Sequence, residues 1–425
     1  MLELRYLRDH AETVRRAIRA KQLPEALASL DAVLLADEQR RLLRGDLEAL
    51  QARRNAASRE IGARKQRGED AEELIREMGE VAAEVKRLEE RDASLETQLR
   101  SHLLEIPNVP HESVPYGESE HDNVVVGEHG ERLDGAGMRP HWELAEGRGW
   151  FDLQAGVTLT GAGFPVFRGA GARLVRGLAA FFLDQLGRQG YEEIAPPLLV
   201  NAASATATGQ LPDKEGQMYE VSGGFYLIPT SEVSVTNVHR DAILDEDELP
   251  LRYCAFTPCF RREAGSYGKE VRGLNRVHQF DKVEMVQFVR PEDSYDALEE
   301  MTGTAEGLLE ALGLPYRRLL MCTGDMGFTQ AKKYDLEVWS PGQERWLEVS
   351  SISNMEAFQA SRLATRARPG GVDGRGRPRL VHTLNGSALA FPRTIAALLE
   401  TYQREDGSVA LPEALHAYVG TDLLA

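Results

Sequence analysis

Between Pro24 and Pro107 the chain has no proline and only four glycines, and its apolar residues fall at helical spacing throughout. Leu74, Met78, Val81, Val85, Leu88, Leu95 and Leu99 follow one another at intervals of 4, 3, 4, 3, 7 and 4, with Asp92 standing inside the interval of 7. That is the a/d seam of a coiled coil. Leu43, Leu47, Leu50, Ala57 and Ile61 lay a similar stripe along the preceding segment, interrupted at Arg54. Lys65-Gln66-Arg67-Gly68-Glu69-Asp70 between them reads as a turn, an N-cap and an acidic first turn. The pattern predicts two antiparallel helices, over about residues 27–66 and 70–104, each on the order of 50–60 Å long at about 1.5 Å rise per residue. An arm of that length projects past any globular core.

Charge divides the chain at the same place. Residues 1–104 hold 20 basic and 21 acidic side chains, and residues 105–425 hold 30 and 46. The overall charge of −17 therefore belongs almost wholly to the second part. An acidic average argues against non-specific nucleic-acid binding. Yet residues 51–67 carry Arg53, Arg54, Arg59, Arg64, Lys65 and Arg67 against Glu60 alone. This tip is either a solvated helical face or a phosphate-binding arm, and charge by itself does not choose. An apolar content of 42% excludes wholesale disorder. No apolar run approaches the roughly 18–20 residues that span a bilayer, and residues 1–21 lack the apolar stretch of a secretory signal. Cys254, Cys259 and Cys322 are too few and too scattered for a disulfide framework or a cysteine zinc site. The expected location is the cytoplasm, without membrane contact.

Residues 105–140, rich in Pro, Gly and acid, read as a connector with one strand-like run at Val124-Val125-Val126. Beyond it, a helix over 172–189 leads through Gly190-Tyr191 into an apolar strand ending at Pro196-Pro197. Further strands are expected at 225–228, 252–256, 282–289 and 336–339, forming a mixed, mainly antiparallel sheet flanked by helices, an α+β body. The Gly/Pro/Arg run at 370–379 reads as a surface loop. The expected division is a domain over 1–108, carrying the arm at about 27–104, and a second over 109–425.

Three clusters in the second part carry chemistry. Phe260-Arg261-Arg262-Glu263 and Arg276-Val277-His278-Gln279-Phe280 flank a polar, Gly-rich stretch, as in a hairpin. An Arg fork holds a phosphate oxygen bidentately, and a Phe stacks on a purine. In Glu348-Val349-Ser350-Ser351, strict alternation puts Glu348 with Ser350. A bend would instead bring Glu348 and Ser351 around a hard cation. Finally, His382-Thr383-Leu384-Asn385-Gly386-Ser387-Ala388 runs into Pro392-Arg393 at the start of an apolar helix.

Together these clusters resemble motifs 2 and 3 and the intervening metal strand of class II aminoacyl-tRNA synthetases, and the helix leading through Gly190-Tyr191 to Pro197 resembles motif 1. The nearer resemblance is to bacterial-type seryl-tRNA synthetases. It covers nearly the whole chain through Thr208-Gly209-Gln210-Leu211-Pro212, Pro229-Thr230-Ser231-Glu232, Cys322-Thr323-Gly324-Asp325-Met326-Gly327 and Tyr334-Asp335-Leu336-Glu337-Val338-Trp339. The resemblance implies serine activation by ATP, then transfer to the 3′ end of tRNA(Ser), with tRNA(Sec) as a further acceptor. It places Arg261 on the α-phosphate and the serine carboxylate, Glu263 on the adenine amino group and Phe280 against the ring. Arg393 covers the other ring face and Arg276 holds the terminal phosphates, while Arg262, Val277, Val349 and Ser350 complete the ATP site. Arg261, Arg393 and Glu348 are the catalytic set, and Glu348 and Ser351 ligate Mg²⁺. Thr230, Ser231, Glu232, Arg261, Glu284 and Ser387 bind serine. It also implies a homodimer whose arm reaches tRNA on the other subunit, and no zinc.

Ala207, Arg262, Ala388 and Phe391-Pro392 depart from the commonest residues of that family, without removing a functional group named above. Two other readings use the same residues. A ligase on this scaffold could charge a non-tRNA acceptor, but relatives of that kind lack the arm. A non-catalytic tRNA-binding homologue explains the arm but not the retained Arg261, Glu263, Glu348 and Arg393.

Overall fold

The computed structural model describes residues 1–264, 272–370 and 374–425. Parts of two expected loops, 265–271 and 371–373, fall outside these. The chain forms two compact units, Met1–Pro107 and Asn108–Ala425.

In the first unit two short helices precede α1 (Ala26–Arg67) and α2 (Glu72–Leu103), which pack antiparallel. Gly68 ends α1 at φ 73°, a left-handed conformation that glycine adopts without steric cost, and the Glu69 N–H closes the cap on the Arg64 carbonyl. α2 starts slightly later than the sequence pattern suggests; Asp70 accepts from the Glu72 N–H instead of forming the N-cap proper. Val81, Val85, Leu95 and Leu99 are buried, as are Leu43, Leu47 and Ala57 opposite. Asp92 keeps its place in the seam because Arg40 reaches it at 2.7 Å and Arg44 at 3.2 Å. A charge half inside a coiled coil is tolerable only when so paired.

The second unit is built on an eight-stranded sheet. Its strands are β1 (Val124–His129), β2 (Glu192–Glu193), β3 (Leu251–Phe260), β4 (Gln279–Val289), β5 (Tyr316–Leu320), β6 (Lys332–Ser340), β7 (Arg345–Glu356) and β8 (His382–Ala390). They lie in the order β1-β5-β6-β7-β8-β4-β3-β2, antiparallel except for the β2–β3 pair. The supposed connector thus supplies an edge strand, and the expected apolar strand before Pro196 shrinks to the two residues of β2.

Four helices matter to the site: α3 (His141–Arg148), α4 (Ala170–Arg188), α5 (Ser294–Ala311) and α6 (Phe391–Thr401). Leu178, Phe181 and Phe182 of α4, Met301 and Leu308 of α5 and Ile395 and Leu398 of α6 share one core with Val283, Met285, Leu336, Leu347, Val349 and Leu384 of the sheet. Alternation along β4 then turns Lys282 and Glu284 to the opposite face. No helix among the described residues is long and apolar enough to cross a membrane.

Candidate active site

The face of the sheet turned away from the helical layer holds an open cavity of about 440 Å³, with the first turn of α6 at its rim. It gathers Thr230, Glu232, Arg261, Glu263, Arg276, Val277, Phe280, Glu284, Glu348, Val349, Ser350, Ser351, Ser387 and Arg393, all expected there from sequence. Ser231 and Arg262 are not among its lining. Ser231 is fully buried between two residues that do line the cavity, and Arg262 is exposed, with its N–H on the Gln217 carbonyl.

One half of the cavity is cationic and aromatic. The Arg261 guanidinium sits 5.2 Å from the centre of the Phe280 ring, a stacking contact that arigid planar fork makes well. Glu263 adopts φ 47° and meets Arg276 at 3.3 Å. Arg393 enters from the start of α6. Its Nε donates to the Asn275 carbonyl at 2.9 Å and its Nη1 to the Glu348 carbonyl at 2.8 Å. Three arginines from three separate elements thus face one space.

The strand carrying Glu348 is not regular. Leu336 of β6 pairs with Ser350 of β7, but Glu337 pairs with Glu348, so Val349 is an extra residue. One extra residue reverses the alternation. Leu347, Val349 and Ile352 all reach the core, leaving Glu348 and Ser351 both on the cavity. Ser351 also hydrogen-bonds Asp335, which pairs with Lys333 at 3.1 Å. The Glu348 carboxylate lies deep between protein walls yet opens to the cavity. Burial pushes its pKa up, but Arg393, Lys333, Arg261 and Arg276 outweigh this and hold it below the ordinary value. A carboxylate and a hydroxyl side by side are hard oxygen donors of the kind Mg²⁺ accepts. Among the described residues no group of three or more His, Cys, Asp or Glu is assembled for a metal.

The other half is narrow, buried and charged. Glu284 is 2% exposed, forms an ion pair with Lys282 and accepts from Ser387 Oγ at 3.3 Å. Lys282 Nζ donates to Thr230 Oγ1 at 2.8 Å. Glu232 accepts from Gln359 Nε2 at 2.6 Å. Burial first, and then the neighbouring Glu284, push the Glu232 carboxyl up to about 7, against the opposing pull of Gln359, Lys282 and Arg261. Lys282 and Gln359 are the residues that sequence reasoning missed here. Lys282 lies two residues from Glu284 on one strand, so alternation could have found it; Gln359 leaves no such trace.

Residues 219–402 match the family model described as tRNA synthetase class II core domain (G, H, P, S and T), and residues 1–110 match the seryl-tRNA synthetase N-terminal domain. Serine–tRNA ligase of Salinibacter ruber is 53% identical over 99% of this chain and 98% of its own, and that of Symbiobacterium thermophilum is 46% identical over 98% of each. The chain belongs to the seryl-tRNA synthetase family. The chain superposes on the Pyrococcus horikoshii seryl-tRNA synthetase, crystallised with ATP, at a TM-score of 0.93, with 34% identity over 100% of this chain and 99% of that one. The cytoplasmic Naegleria fowleri enzyme, in complex with AMP, gives 0.88 and 27% over 100% and 98%.

The six basic residues expected at the arm tip are all on α1. Folding brings acids beside them: Arg53 pairs with Glu77, Arg64 with Glu60 and Arg67 with Glu69. Over residues 51–78, both sides of the tip, there are seven basic and six acidic side chains. The excess of five counted along α1 alone therefore largely disappears, and Arg54, Arg59 and Lys65 of α1, with Arg76 of α2, are the ones without an ion pair among the described residues.

Proposed function

We propose that this chain activates L-serine with ATP and transfers it to the 3′ end of tRNA(Ser), with tRNA(Sec) as a second acceptor. What supports this above all is the single cavity joining an arginine–aromatic half, suited to a nucleotide triphosphate, to a small buried half with two carboxylates and a lysine, suited to a zwitterion.

In this reading Phe280 stacks on adenine, Glu263 accepts from its amino group and Arg393 closes over the ring. Arg276 holds the terminal phosphates, beside the backbone of Val277 and Arg262. Arg261 bridges the α-phosphate and the serine carboxylate, aligning the attacking oxygen and neutralising charge as the pentavalent phosphorus forms. Glu348 and Ser351, flanked by Val349 and Ser350, would hold Mg²⁺, which would supply neutralisation of the phosphate charge. Glu232 and Glu284 take the serine ammonium, with Thr230 and Ser231 shaping the wall, and Ser387 reads the hydroxyl. An unpaired buried carboxylate or hydroxyl penalises substrates lacking that group.

The unit at the N-terminus is the tRNA-binding domain and the one after it the catalytic domain. The enzyme acts in the cytoplasm as a homodimer, each arm reaching tRNA on the partner subunit. The test is ATP–pyrophosphate exchange with each amino acid in parallel. Serine alone should support it, and Arg261→Ala should abolish it; exchange surviving in that variant would refute the site.

A further inference from the structure

Outside the cavity lies a fully buried polar cluster with no part in the reaction described so far. His141, the first residue of α3, and Glu400, near the end of α6, are each 0% exposed. His141 Nε2 lies 2.8 Å from the Leu274 backbone nitrogen. A backbone N–H can only donate, so Nε2 accepts, and the ring hydrogen resides on Nδ1. Nδ1 then donates to Glu400 at 2.8 Å. Glu400 is saturated with further donors: the His141 N–H at 3.0 Å, Gln343 Nε2 at 3.0 Å, the Gly342 N–H at 3.1 Å and Ser340 Oγ. The imidazole therefore has one orientation and one tautomer, held by the Leu274 N–H on Nε2 and by Glu400 on Nδ1.

What the imidazole holds is the wall of the nucleotide half. Leu274, Asn275 and Arg276 line the cavity. The Asn275 carbonyl accepts from Arg393 Nε, and Asn275 Nδ2 donates to Gln343 Oε1 at 2.8 Å, which leads back to Glu400. Glu400 and Arg393 also share α6. The approach is close enough that a Cβ on Gly273, at φ 62°, would stand 2.3 Å from His141 Nε2, so only glycine fits. The neighbouring Trp142 ring lies 5.2 Å from the Arg272 guanidinium, a second grip on the same segment.

We propose that His141, oriented by Glu400, is a positioning residue for ATP: it fixes residues 274–276 and through them the guanidinium groups of Arg393 and Arg276. The proposal rests on the assignment of this half of the cavity to ATP. It predicts a split between the substrates, because among the described residues the serine half shares no hydrogen bond or ion pair with the cluster.

The test compares two substitutions. In Asn the amide overlays Nδ1, and in Gln it overlays Nε2. His141→Asn keeps the donor to Glu400 but loses the acceptor for Leu274; His141→Gln keeps that acceptor. In pyrophosphate exchange His141→Asn should raise KM for ATP about tenfold and leave KM for serine within about twofold, the loss of one acceptor to a buried N–H. His141→Gln should recover most of the loss. An unchanged KM for ATP, an equal rise for both substrates, or a Gln variant as impaired as the Asn variant would overturn the proposal. Should His141→Asn fail to fold, Gln343→Ala decides: a rise of about threefold in KM for ATP alone supports it, and no rise refutes it. ATP binding by calorimetry without amino acid gives the same comparison independently of serine. Wild-type protein whose exchange ignores serine would defeat the proposed function while leaving that comparison intact.

Discussion

Glu232 is a carboxyl that the fold would rather keep neutral. It is 8% exposed, close to Glu284, and its pKa rises from 4.5 to about 7. At about 1.4 kcal/mol per pKa unit, ionising it in the native state costs roughly 3 kcal/mol. Between pH 4.5 and 7 the native state binds this proton and the unfolded chain does not, so stability falls as pH rises through that window and levels off above it. Glu232→Gln cannot ionise, yet its carbonyl oxygen can still accept from Gln359. The variant should therefore be the more stable protein at pH 8, by up to about 3 kcal/mol, and nearly equal to wild type below pH 4.5. For a unit of this size, at roughly 2 °C per kcal/mol, the gap in Tm is about 6 °C at pH 8 and about 2 °C at pH 5. Scanning calorimetry at pH 5, 6, 7 and 8 measures it. A gap that does not grow with pH, or a variant less stable at pH 8, would refute the reasoning. Under the proposed role, in which the Glu232 charge meets the substrate ammonium, the native Glu trades stability for function. Saturating serine should consequently raise the Tm of wild type at pH 8 more than that of the variant.

Two further expectations concern the arm. Replacing Arg54, Arg59 and Lys65 together by Glu should weaken tRNA binding at least tenfold and flatten the log Kd against log salt slope by about 2–3, while leaving pyrophosphate exchange unchanged; the same change at the already paired Arg53, Arg64 and Arg67 should matter less. Asp92→Ala takes from Arg40, half inside the seam, its 2.7 Å partner and leaves it Glu96 at 2.8 Å, and should cost about 1–2 kcal/mol in helix melting followed by circular dichroism. Leu at both 92 and 40 should restore the seam or exceed the native stability.

The parts of this molecule legible in sequence are those whose cause is local. The heptad stripe announced the arm because helical contacts repeat every three or four residues, so a short window contains the whole argument. Asp92 looked like a break in that stripe only because its partner lies 52 residues away, and the basic tip looked more cationic than it is because Glu77 returns from the other helix. The motif residues of the cavity were readable for a different reason: Arg, Glu, Phe and Ser were already present in the pattern of a known family.

Geometry that depends on pairing could not be read that way. Alternation along β7 sets Glu348 with Ser350 and against Ser351, and only the register of β6 beside it shows Val349 to be the extra residue. That single residue decides whether a carboxylate and a hydroxyl share a face, and with it whether a cation has two oxygens or one. The same holds more strongly for His141 and Glu400. They are 259 residues apart and belong to no spaced pattern. Their connection to Arg393 runs through Leu274, Asn275 and Gln343, and again along α6, which carries the arginine at one end and the glutamate at the other. A helix that presents its first turn to the substrate can have its angle set by a contact two turns away, in the core, where burial makes each hydrogen bond costly to lose. The precision of the nucleotide half is thus a property of the packed core as much as of the residues that face the cavity.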